Sequence, residues 1–210
     1  MCMKVKIKLC GFKNIEDIIF ASSLNIDYLG MIFVKDMPRT INIKTACRAA
    51  DICKSKNIKS TGVFLNQSKD EISEILKQVD LDVIQLHGSE DIHEYSCLKK
   101  EIIKTIHVSK DLPAQLSNID LEKYNYLIDA TDKHMRGGTG EVFDWDIMSD
   151  MPYDKLFIAG GLKADNILDL LNKFSPHCVD VSSGIERKVG YKDHKLMSDF
   201  VHKINTFNEK

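Results

Sequence analysis

The chain has 210 residues, 43% hydrophobic and 29% charged, a mix that excludes intrinsic disorder and fits one compact domain spanning 1–210. Against 31 acidic side chains stand 29 basic ones, and the net charge of -2 gives no global attraction to nucleic acid or to an anionic membrane surface. Any anion the chain binds must be held locally.

In chain order, short β-branched runs alternate with segments of helical apolar spacing. Strands are expected at Lys4 to Cys10, Tyr28 to Val34, Ser60 to Leu65, Val83 to His87, Ile102 to Val108, Tyr124 to Ala130, Lys155 to Ala159 and Cys178 to Ser182. Helices are expected at Ile15 to Leu24, Lys44 to Lys56, Lys69 to Val79, Asp165 to Phe174 and His194 to Phe207, with two weaker ones following the fifth and sixth strands. Asn14, Ser68 and Asp165 are N-cap residue types in front of three of them. Eight such units without a linker or a change in composition fit an α/β fold of one domain, a small (β/α)₈ barrel of eight parallel strands. Its chemistry belongs at the C-terminal strand ends.

The six cysteines show no CxxC spacing, which speaks for reduced thiols and against a zinc cluster or a disulfide framework. No apolar run approaches the roughly 20 residues of a membrane span, and Met1-Cys2-Met3-Lys4 leads directly into a strand. The expected location is the cytoplasm. The histidines form neither HxH nor HExxH, so no metal site is expected.

The first strand ends Lys8-Leu9-Cys10-Gly11. Cys10 is either a buried small hydrophobe or a base or nucleophile at the barrel mouth. Lys8, two residues earlier, shares its face, where its charge would favour a thiolate, and a buried lysine calls for a partner such as Asp180 on the strand that closes the barrel. Asp129 ends the sixth strand as a candidate proton donor or as a loop carboxylate capping a backbone N–H. Gly160 and Gly161 follow the seventh strand; Ser182, Ser183 and Gly184 follow the eighth. Bare backbone N–H groups and hydroxyls in these two loops suit a phosphate. Arg39 offers a planar fork for a carboxylate or phosphate. Gln85 and His87 close the fourth strand, the histidine as a ligand, an acid or a hydrogen-bonded barrel residue.

Taken together, Lys8-Leu-Cys-Gly11, Pro38-Arg39, Gly62-Val-Phe64, Gln85-Leu-His-Gly88, Asp129 with Gly137-Gly-Thr-Gly140, Phe143-Asp-Trp145, Ala159-Gly-Gly-Leu162 and Asp180-Val-Ser-Ser-Gly184 resemble the phosphoribosylanthranilate isomerase family. The match runs in order to Gly190-Tyr-Lys-Asp193, nearly the whole chain. The resemblance implies tryptophan biosynthesis: an Amadori rearrangement of N-(5'-phosphoribosyl)anthranilate to 1-(o-carboxyphenylamino)-1-deoxyribulose 5-phosphate, without a cofactor. Carried onto this sequence, it makes Asp129 the general acid and Cys10 the base. Arg39 would hold the anthranilate carboxylate, and Gly160, Gly161, Ser183 and Gly184 the phosphate. Gln85, His87, Asp180 and Ser182 complete the expected substrate contacts. The partner would be a small phosphosugar, with no nucleic acid or membrane, and the chain a monomer or homodimer.

Two alternatives stand beside this reading. The histidine-pathway aminoaldose isomerase uses paired aspartates at the ends of strands one and five, where this chain has Cys10 and the His107-Val108 region, and its substrate has two phosphates against one evident glycine-rich cradle. A non-catalytic phosphate-binding barrel would keep the last two loops but would not need Cys10 and Asp129.

Overall fold

The computed structural model describes residues 4–108, 119–130 and 152–210. In order, the elements are β1 (Lys6–Leu9), α1 (Ile15–Ala21), β2 (Tyr28–Ile32), α2 (Ile43–Ser55), β3 (Lys59–Phe64), α3 (Lys69–Leu76), β4 (Val83–Leu86), α4 (Ile92–Tyr95), β5 (Glu101–His107), β6 (Asn125–Asp129), β7 (Leu156–Ala159), α5 (Ile167–Lys173), β8 (Cys178–Val181), β9 (Glu186–Lys188), β10 (Tyr191–Lys192) and α6 (His194–Asn208). The two weaker helices of the sequence reading, Gly137 to Gly140 and Phe143 to Trp145 lie largely or wholly outside the described residues.

Strands β1 to β8 form a closed barrel in sequence order, and every neighbouring pair is parallel. A parallel strand is covered on both faces, which is why runs such as Tyr28-Leu29-Gly30-Met31 are apolar without alternation. The two faces nevertheless have different partners. Tyr28, Val83, Ile103, Leu127, Phe157, Ala159 and Cys178 form a separate buried cluster that fills the barrel. Leu29, Ile84, Ile128, Ile158 and Val179, one residue out of phase, belong to the larger cluster shared with the helices. Two residues beyond Val83, Ile103, Leu127 and Cys178 stand Gln85, Thr105, Asp129 and Asp180. The inward face thus changes from apolar to polar toward the C-terminal strand ends.

Helix starts follow local chemistry. Ser68 and Glu71 make a complete capping box on α3, and Asn42 accepts a bond from Thr45 N at the start of α2. Asn14 occupies the cap position of α1, but its amide reaches Asp17 instead of the helix backbone. The expectation of Asp165 as a cap is corrected: α5 begins at Ile167 behind Asn166, whose Oδ1 accepts from Lys163 N and closes the preceding turn. Helix α4, at four residues, is too short to carry a periodic signal.

The antiparallel β9 and β10 also had no sequence signal. This hairpin turns at Gly190, with φ of +77°, where a Cβ would come within 2.6 Å of the Pro38 carbonyl oxygen. It therefore lies on the loop that carries Arg39.

Candidate active site

A cavity of about 250 Å³ opens at the C-terminal strand ends. Ten of the eleven expected site residues line it: Cys10, Arg39, Gln85, His87, Asp129, Gly160, Gly161, Asp180, Ser182 and Ser183. The eleventh, Gly184, does not line it. A Cβ there would stand 1.9 Å from the Leu162 carbonyl oxygen, so its role is to let the loops after β7 and β8 approach each other.

Cys10 continues the β1 to β8 pairing through its N–H, which donates to Val181 O at 2.9 Å. Gly30 on β2 makes its space, since a Cβ there would meet Cys10 Sγ at 2.5 Å. Below the thiol, the fully buried Lys8 donates to Asp180 Oδ2 at 2.8 Å, the pair expected from strand order. Burial disfavours the Lys8 ammonium, but Asp180 and Cys10 outweigh it and hold its pKa above the ordinary lysine value. For Cys10, burial and the Asp180 carboxylate raise the pKa, and the charges of Lys8 and Lys192 offset this only in part. The expectation that Lys8 would favour the thiolate is thus right in sign and insufficient in size.

Arg39 is already forked onto a carboxylate. Its Nε and one terminal nitrogen donate to Glu186 at 2.8 and 2.7 Å, and Lys192 Nζ lies 3.1 Å from the same carboxylate. Burial pushes the Glu186 pKa up, but Arg39 and Lys192 together bring it below the ordinary value, so it stays ionised. Lys192 Nζ also donates to the Ser182 carbonyl at 3.0 Å, which ties the hairpin to the loop after β8. The sequence analysis gave Glu186 and Lys192 no role, because the short hairpin that brings them to Arg39 has no periodic signal.

Asp129 Oδ2 lies 3.7 Å from His87 Nε2 and 3.9 Å from His107 Nδ1. Burial, the first cause, pulls the His87 pKa down; Asp129 works against this and His107 with it, and the net shift is downward. Gln85 donates its amide N–H to Thr105 Oγ1 at 3.3 Å, and Thr105 Oγ1 also lies 3.1 Å from His87 Nδ1. Among the described residues, buried Gln85 Oε1 and Asp180 Oδ1 have no hydrogen-bond partner. Acceptors left this way suit hydroxyl donors on a ligand. Across the cavity, Gly160 and Gly161 have φ of +102° and +64°, so two successive residues after β7 use backbone open mainly to glycine. Nothing lies within 4 Å of a Cβ built at Gly161, so the backbone faces open space there.

The family model for N-(5'-phosphoribosyl)anthranilate (PRA) isomerase matches residues 7–203. The chain belongs to the PRA isomerase family. A PRA isomerase of Listeria innocua is 36% identical over 198 residues, covering 93% of this chain and 95% of that protein. One from Caldanaerobacter subterraneus is 35% identical over 207 residues, 95% and 98% of the two chains. The crystal structure of PRA isomerase from Thermotoga maritima matches with a TM-score of 0.83 at 30% identity, covering 96% of this chain and 99% of that one. A PRA isomerase solved with reduced 1-(o-carboxyphenylamino)-1-deoxyribulose 5-phosphate matches with a TM-score of 0.80 at 28% identity over 96% and 99%. Among the described residues, no helix is long and apolar enough to cross a membrane.

Proposed function

We propose that this member of the family converts N-(5'-phosphoribosyl)anthranilate to 1-(o-carboxyphenylamino)-1-deoxyribulose 5-phosphate in tryptophan biosynthesis, with Asp129 as proton donor and Cys10 as base. The observation that carries this reading is the presence of both groups in one cavity, between the Arg39 lip and the glycine loops after β7 and β8.

The substrate has an anionic group at each end, and the cavity has a matching anchor at each side. Three of the five guanidinium N–H bonds remain on Arg39 beyond the two given to Glu186, enough to meet the anthranilate carboxylate. The backbone at Gly160 and Gly161, with Ser182 and Ser183, takes the phosphate. Fixing both ends sets the ribose carbons between acid and base, and orientation of this kind removes much of the entropic part of a barrier. Gln85 Oε1 and Asp180 Oδ1 accept from the sugar hydroxyls.

Protonation of the furanose ring oxygen by Asp129 breaks the C1'–O bond and leaves a Schiff base. Removal of the C2' proton by Cys10 then gives the enolamine, which tautomerises to the ketone. The rearrangement is an internal proton shift, so one acid and one base balance it without a hydride carrier. The enzyme's partner is this small phosphosugar, with no nucleic acid or membrane involved. One Thermotoga maritima relative is described as dimeric, and this chain acts in the cytoplasm as a monomer or homodimer.

The test follows the loss of anthranilate-type fluorescence on adding freshly made substrate. Cys10→Ala and Asp129→Ala should each slow turnover by about 10²-fold or more while the product analogue still binds. Turnover that survives either change would remove that residue from its role.

A further inference from the structure

Three side chains at the ends of adjacent strands come together: His87 after β4 and Asp129 on β6, which line the cavity, and His107 on β5 between them. Strand register sets His107 directly beside Asp129, and the ligand atoms of all three lie within 4.8 Å of one another. The imidazole rings stand edge to face, with centroids 5.1 Å apart and planes at 89°, so their nitrogens approach the carboxylate from different directions.

The outer nitrogen of each ring has a partner of its own. His107 Nε2 lies 3.0 Å from the His87 carbonyl oxygen, which can only accept, so Nε2 carries the hydrogen and the Nδ1 lone pair of the neutral ring faces Asp129. His87 Nδ1 lies 3.1 Å from Thr105 Oγ1 and 3.3 Å from the Gln85 amide nitrogen; with Nδ1–H donated to the hydroxyl, the Nε2 lone pair is left toward the carboxylate. A lone pair aimed at a carboxylate oxygen is unfavourable unless a proton or a cation lies between them. A ring nitrogen tied to a carbonyl or hydroxyl while the other faces inward is the arrangement that orients metal-bound histidines.

We propose that His87 Nε2, His107 Nδ1 and Asp129 Oδ2 form a binding site for a first-row divalent transition metal, with Zn²⁺ as the representative ion. Two nitrogens and one carboxylate oxygen are a donor set for such ions and a poor one for Mg²⁺ or Ca²⁺. Two of the three ligand-to-ligand distances, 3.7 and 3.9 Å, and the third, within 4.8 Å, all have to shorten toward the edge of about 3.3 Å that follows from metal–ligand bonds of about 2.0–2.1 Å in a tetrahedron. Binding therefore draws the three side chains together. His87 and Asp129 line the cavity, from which water or a ligand oxygen would complete the shell. Occupation would tie up the Asp129 carboxylate, so a bound ion also inhibits the isomerase; this consequence, unlike binding itself, rests on the acid role given to Asp129.

Calorimetric titration of the purified protein with Zn²⁺ tests the site, with Mg²⁺ as the contrast. The expected result is one ion per chain in this site, weakened by about 10²-fold or more in His107→Gln and in Asp129→Asn, since loss even of an outer partner costs 10–100-fold. Cys10→Ser and Cys97→Ser should retain it, which separates this site from the thiol in the same cavity and the exposed one on the surface. Circular dichroism checks that each variant is folded. No Zn²⁺ uptake, uptake unchanged in His107→Gln, or uptake lost in Cys10→Ser overturns the proposal. Binding that disappears in His107→Gln but leaves wild-type turnover untouched upholds the site and removes Asp129 as the acid.

Discussion

Glu186 grips Arg39 through two parallel bonds of 2.8 and 2.7 Å, although 147 residues separate them in the chain. Lys192 steadies the carboxylate from the other side. The anion-binding guanidinium is thereby held at the cavity mouth before any substrate arrives, so less rotamer freedom is lost on binding.

Glu186→Gln tests that arrangement. Replacing the charged acceptor removes most of a charge-assisted interaction, worth about 1.5–3 kcal/mol, and KM should rise about tenfold with kcat within about threefold. Steady-state kinetics separates the outcomes. An unchanged KM means Glu186 does not position Arg39, and a lower KM means it competes with the substrate carboxylate.

The pH dependence of kcat/KM follows from the raised Cys10 pKa. A base whose pKa lies above the ordinary thiol value of about 8.5 gains its active form as pH rises, so log kcat/KM should still be climbing at that pH and level off only above it. Lys8→Met deletes a charge that stabilises the thiolate, and the limb should move to still higher pH. A profile flat from pH 6 upward would mean that the thiolate is already present in the free enzyme.

Lys8→Met should also lower thermal stability, because it leaves Asp180 buried without its cation. Breaking a buried pair from one side costs about 3–5 kcal/mol. Differential scanning calorimetry on Lys8→Met and on Lys8→Met with Asp180→Asn reads this, and the double variant should recover part of the loss. Equal stability of the two would mean that the single change strands no charge.

Gly184→Ala places a Cβ against the Leu162 carbonyl, a backbone atom that can move only with its loop. Overpacking of this kind costs about 1–3 kcal/mol, a fall of roughly 2–4 °C in Tm per kcal/mol for a chain of this size. Separation of the two loops should raise KM for the phosphorylated substrate and affect kcat less. Wild-type Tm and KM together would show that the loops tolerate the methyl group.

The barrel was legible because its strands are short apolar runs bounded by turn residues, and all eight lie within a residue or two of their expected limits. The parts that escaped are those without a period. Helix α4 has four residues, and Asp165 and Asn166 are equally good cap types, so only the turn bond to Lys163 distinguishes them. At the site, strand-end residues could be found by position, as Cys10, Gln85 and Asp180 were. The Lys8 to Asp180 pair followed from the closure of the sheet. Glu186 and Lys192 could not be found in this way, because the hairpin that brings them to Arg39 has no alternating pattern. His107 was hidden by the search for histidines close in sequence, whereas its neighbours come from the strands on either side.

The Lys8 to Asp180 bond crosses the seam between the first strand and the last. An N-terminal portion of the chain that stops short of residue 180 therefore contains Cys10 but not its electrostatic surroundings, and Lys8 waits in it as a cation without a counter-ion. The surroundings of Cys10 are complete only when β8 pairs with β1 and the hairpin behind it brings Lys192 to the loop after β8. Two separately produced halves of the barrel would regain the thiol's chemistry only by reassembling along that seam.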